Sequence, residues 1–62
     1  MKFKLGGCYE ATGIDRAVKV LKFLGNDERG SLIEYPVGSG QTTTLEELFP
    51  GEFLTIPVEV RC

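Results

Sequence analysis

Two thiols, nine side-chain carboxylates and one glycine-rich loop are the groups in this 62-residue chain whose chemistry is worth testing first. Cys8 and Cys62 lack the short spacing of a metal–thiolate site, and two cysteines are too few for a disulfide framework. They read as reduced thiols, with a clasp between the chain ends as the sharper alternative, because termini often lie close together. The chain contains no histidine, so no Ser–His or Cys–His nucleophile pair can be assembled and the commonest general base is missing. Zinc would be left with two cysteines and carboxylates, a poor ligand set. Glu46 and Glu47 are adjacent, and adjacent residues on a helix do not face each other, so they read as a solvated helical face. Gly38-Ser39-Gly40 lacks the Lys-Ser/Thr of a phosphate-binding loop and reads as an ordinary connection. The sequence therefore predicts a protein that is not an enzyme and carries no cofactor and no metal.

Charge narrows the partners. The net charge is −2, unevenly placed. Residues 1–29 carry Lys2, Lys4, Arg16, Lys19, Lys22 and Arg29 against Glu10, Asp15, Asp27 and Glu28. Residues 30–62 carry Arg61 against Glu34, Glu46, Glu47, Glu52 and Glu59. The acidic half argues against unspecific binding along a nucleic-acid backbone, which draws on clustered Lys and Arg. A local basic stripe of Lys2, Lys4, Arg16, Lys19 and Lys22 stays open as the alternative site.

Length sets the scale. A single small domain spanning 1–62 is expected, read as one complete small reading frame. So short a chain buries only about 60% of the surface its unfolded form exposes, so a staple or a partner would add much to a thin core. The apolar fraction of 42% argues against intrinsic disorder. No apolar run approaches the roughly 20 residues that span a bilayer, and Met1-Lys2-Phe3-Lys4-Leu5 is followed by no apolar core of a signal peptide. These features predict a cytoplasmic location and no membrane partner.

The positioning elements are mostly strands. Ala17–Leu24 and Ser31–Val37 are rich in β-branched and aromatic residues, and Gly25–Gly30 between them supplies turn chemistry, so the unit reads as a β-hairpin. A helix over residues 15–24, capped by Asp15 and closed by Gly25, is the competing reading. Residues 1–5 alternate, with Met1, Phe3 and Leu5 on one face, as in a half-buried strand. Gly6-Gly7 bends the chain, and residues 8–11 continue as a short strand. Thr44, followed three residues later by Glu47, predicts a single helical turn near residues 44–49, ended by Pro50-Gly51. Alternation along 53–60 predicts a last strand with Leu54, Ile56, Val58 and Val60 facing the core and Phe53, Thr55, Glu59 and Arg61 facing out. Pro57 has no N–H to donate and places that strand at an edge.

The resulting class is mainly β, either a small SH3-like barrel or a five-stranded antiparallel sheet with one short helical turn. Strand, bend, long hairpin, helical turn and short strand, in that order, resemble the SH3-like small barrels of the Tudor-like and KOW-like group. Arg16-Ala17-Val18-Lys19-Val20-Leu21 is similar to the Arg-Ala-x-Val strand of Tudor-like modules. Ile33-Glu34-Tyr35-Pro36-Val37-Gly38 resembles their Val-x-Tyr-x-x-Gly strand end, and Thr43-Thr44-Leu45 with Leu48 resembles their closing turn. The likeness covers residues 8–50 and implies a barrel. Where Tudor-like cages place aromatics before the Arg-Ala pair, this chain has Ile14 and Asp15, so only Tyr9 and Tyr35 fall near a cage position.

Function is then expected in binding. The first class is a non-catalytic protein-interaction module, such as a bacterial or phage regulator docking on a larger protein, with Tyr9, Phe23, Tyr35 and Phe53 as its outward aromatic candidates. The second is a nucleic-acid-binding barrel using the basic stripe. A protein partner or a homodimer through strand 53–60 is favoured over nucleic acid.

Overall fold

The computed structural model describes residues 2–62 as five strands and one short helix: β1 (Cys8–Thr12), β2 (Val18–Asp27), β3 (Gly30–Glu34), β4 (Thr42–Thr44), α1 (Leu45–Leu48) and β5 (Val58–Val60). All pairings are antiparallel, in the order β4-β3-β2-β1-β5. Of the two expected forms the sheet is the one found. No ladder joins β4 to β5 among the described residues, so the closed barrel is corrected to an open sheet with both short strands at its edges.

The predicted hairpin is β2–β3, and the helix over 15–24 does not form. Its connection is tighter than the sequence suggested. Asn26↔Ser31 and Asp27↔Gly30 still pair, leaving Glu28-Arg29 as the turn. Asp27 closes it by accepting the Arg29 N–H at 2.9 Å and the Arg29 guanidinium at 3.1 Å. The register shifts between Phe23 and Gly25, a bulge that absorbs Leu24. β3 stops at Glu34, not Val37, because Pro36 has no N–H for the ladder. The Tyr35–Pro36 peptide is cis. Beyond it, Glu34 accepts the N–H groups of Gly38 and Gly40 and so shapes the loop.

α1 forms where the capping signal placed it. The Thr44 hydroxyl accepts the Glu47 N–H at 3.2 Å, while Glu47 accepts from the Thr43 hydroxyl at 3.1 Å. This turn lays Leu45 and Phe49 over one face of the sheet, where Tyr9, Ala11, Leu21, Phe23 and Ile33 form the buried core. Phe3, Tyr35, Leu48 and Phe53 pack around it.

Three expectations are corrected. The strand over 1–5 is absent over the described residues 2–5, and Met1 lies outside them. The Lys4 N–H is taken by the Tyr9 hydroxyl and the Gly7 N–H by the Lys4 carbonyl, which turns the segment. Phe3 folds onto Tyr9 and Phe23, with ring centroids 4.7 and 5.5 Å away. The core-facing assignment of the last segment fails: Leu54, Ile56 and Val58 are exposed, Ile56 at 75%, and Phe53, expected outward, packs against Phe49 at 5.0 Å, while Thr55, Glu59 and Arg61 are exposed as expected. Only Val58–Val60 pair with β1, and the register Cys8↔Val60, Glu10↔Val58 puts both valines on the face away from the core. Third, the cysteines are not free thiols. Cys8 and Cys62 form a disulfide, tying the residues beyond edge strand β5 to the start of β1.

Candidate interaction surface

Strand alternation divides β1 and β2 into two faces. Tyr9↔Leu21 and Ala11↔Lys19 share the core face, and Cys8↔Lys22, Glu10↔Val20 and Thr12↔Val18 share the other. Continuing through Cys8↔Val60 and Glu10↔Val58, the outer face carries Val18, Val20, Val58 and Val60 around Glu10, Thr12 and Lys22. Val18 and Val58 are each 61% exposed, and Leu54 and Ile56 on the approach to β5 are exposed as well. Among the described residues no strand or helix packs on this side, since α1 packs on β3 and β4 from the core face, and Cys8 is buried there beside its disulfide partner Cys62. Two pairs of valines, on β2 and on β5, flank β1, whose Glu10 lies between Val20 and Val58, with Lys22 beside them on β2.

A second apolar feature lies at the end of the sheet. Gly13, Ile14, Asp15, Leu48, Phe49 and Pro50 line a shallow cleft of about 240 Å³. A Cβ on Gly13 would stand 3.0 Å from the Phe49 ring and 3.1 Å from Asp15, so glycine is what lets β1 approach this wall. The Lys19 ammonium sits 5.2 Å from the centre of the Phe49 ring and 3.7 Å from Asp15. The Ala17 N–H, and after it the Lys19 charge, hold the Asp15 carboxyl below its ordinary value. Lys19 is thereby committed to the fold.

The expected site residues are distributed differently. Tyr9 and Phe23 share the parity of Ala11 and Leu21, and both are buried in the core, which corrects their outward assignment. The Tyr9 hydroxyl is occupied by the Lys4 N–H. Tyr35 and Phe53 are half-buried against the same core. These four rings make no exposed aromatic cluster. The basic residues are not gathered either. Lys4 pairs with Glu59 at 3.6 Å, Lys19 with Asp15, and Lys22 lies opposite Glu34 in the ladder. Lys19 and Lys22 lie on opposite faces of β2, Arg16 is in the β1–β2 loop at φ 68°, and Lys2 is exposed near the N-terminus.

The adjacent glutamates do not converge, and the two cysteines are bonded to each other. Glu46 accepts the Ser31 N–H at 3.2 Å and Glu47 the Thr43 hydroxyl, so the adjacent pair diverges to separate partners. Among the described residues no three His, Cys, Asp or Glu side chains gather as a metal site, and no helix is long and apolar enough to cross a membrane. The outer valine face was the surface missed in the sequence. Its signal lies in residues 17–24, where apolar side chains stand at both parities, as they do in a strand apolar on both sides. No family model, curated protein or solved structure matches the chain.

Proposed function

We propose that this chain is a small non-catalytic protein-interaction module that docks through the outer face of its sheet. One observation carries the reading: Val18 and Val58 are exposed, with Val20 and Val60 half-buried, on either side of β1 on a face over which no described strand or helix packs. Exposed valines gathered on one open sheet face fit a contact site, and Glu10 and Lys22 add the polar groups that give such a contact register. The strand order, with one helical turn between β4 and β5, supports an SH3-like module opened between those strands. Dispersed and paired lysines support a protein partner over nucleic acid. The cytoplasmic location expected from the sequence rested on the lack of a membrane-length apolar run and of a signal-peptide core; the Cys8–Cys62 bond supports an oxidising compartment instead.

The test uses Val18→Asp and Val58→Asp as baits beside the wild type, each checked for native circular dichroism, because both side chains are exposed. The reading expects a specific partner, another protein or the chain itself, that binds wild type and is lost by both variants. A partner retained equally by both variants refutes it. Oligonucleotide binding that falls steeply with salt would favour the nucleic-acid alternative.

A further inference from the structure

We propose that the occupant of the outer face is a second copy of this chain, docked about a twofold axis that sets Glu10 of each copy on Lys22 of the other. The proposal rests on the docking reading above and names its partner. A twofold interface must be self-complementary, residue i meeting j while j meets i. The outer face has that property. Glu10 and Lys22 sit on neighbouring strands of the same face, diagonally offset, because Glu10 lies opposite Val20 and Lys22 opposite Cys8.

A twofold axis lying in the face and crossing the Glu10–Lys22 diagonal at its midpoint brings each carboxylate onto the other copy's ammonium. The same axis runs beside the two residues opposite that pair in the ladder, Val20 and Cys8, so Val20 and the Cys8–Cys62 disulfide each meet their own copy between the two ion pairs. Glu10 is exposed and has no salt-bridge partner among the described residues, whereas Lys4 and Lys19 already have carboxylates within 4 Å. Lys22 stands between Glu34 of its own chain, opposite it in the β2–β3 ladder, and the incoming Glu10.

Charge agrees with a copy as the occupant. At a net charge of −2 per copy, unspecific self-association is opposed, so two cross-chain pairs are what would select this one arrangement. Burying the valines also gives a thin-cored domain the apolar contact it lacks alone.

Sedimentation equilibrium on the disulfide-intact protein, from micromolar to millimolar concentration, tests this directly. The wild type is expected to form a dimer. Glu10→Lys and Lys22→Glu, each alone, place like charges against each other across the axis and should weaken dimerisation by at least about tenfold. An equimolar mixture of the two variants restores both opposite-charge contacts and should yield a heterodimer. That outcome cannot come from misfolded chains. A wild type that stays monomeric at millimolar concentration overturns the proposal. So does a dimer indifferent to both reversals, or a mixture that fails to associate. The module reading stands apart: with a monomeric wild type it still holds if capture finds another protein that both Val18→Asp and Val58→Asp lose.

Discussion

Cys62 is bonded to Cys8 across 54 residues of sequence, so the chain's last residue is fixed to the first residue of β1. Between those two cysteines lies all the regular structure. Among the described residues β5 adds only a three-residue ladder with β1, no buried side chain and one exposed ion pair from Glu59 to Lys4 in the segment before β1. Closing a loop of this length stabilises a fold by about 4 kcal/mol in the chain-entropy account, comparable with the whole stability expected of so small a domain. Cys62→Ser, or a dithiol reductant, should therefore lower the urea midpoint drastically or abolish cooperative unfolding. An unchanged midpoint in reductant would show that β5 is held by packing instead.

The exposure of Leu54, Ile56 and Val58 yields a paired prediction. Ile33 is fully buried and Ile56 is 75% exposed. Ile33→Ala should cost about 2–5 kcal/mol, while Ile56→Ala should stay within about 0.5 kcal/mol. Urea denaturation of both variants decides it, and comparable losses would restore the core-facing assignment of Ile56.

Gly30 closes the β2–β3 turn at φ 126°, a conformation L-residues rarely adopt. A Cβ there would also meet Glu46, whose carboxylate caps the Ser31 N–H. Gly30→Ala is expected to destabilise by roughly 1–3 kcal/mol. The Glu46 side chain can swing aside, so most of that loss should persist when Gly30→Ala is made on a Glu46→Ala background. Full rescue in the double variant would locate the strain in the carboxylate contact and not in the backbone.

Acid should weaken the fold through Glu34. The N–H groups of Gly38 and then Gly40 hold its carboxyl below the ordinary value. The unfolded chain consequently takes up the proton at higher pH than the native one, and protonation favours unfolding. The stabilisation is complete above the ordinary glutamate value and is lost as pH falls through the depressed native value. Asp15 and Asp27 shift in the same direction, held chiefly by the N–H groups of Ala17 and Arg29. Stability measured in urea from neutral to acid pH should fall over that window, with a shallower slope for Glu34→Gln. An identical slope in the variant would assign the acid sensitivity elsewhere.

What the sequence determined by itself is what short-range chemistry controls. The β2–β3 hairpin follows from two β-branched runs around Gly25–Gly30, and α1 follows from a hydroxyl at Thr44 placed to accept the Glu47 N–H. Pro57, which cannot donate to a ladder, marked the last strand as an edge, and β5 is one. The tertiary structure decided what depends on partners distant in the chain. Alternation along 53–60 defines two faces but not which one is inward. That choice was made by Phe53 reaching the Phe49 ring and by a register that sets Val58 and Val60 beside Glu10 and Cys8. Residues 2–5 lost their strand to the Tyr9 hydroxyl, and the cysteines met because β5 runs back along β1. The exposed valine face arises the same way. A side chain's parity is local, but its burial depends on whether another element arrives to cover it, and α1 covers only the opposite side.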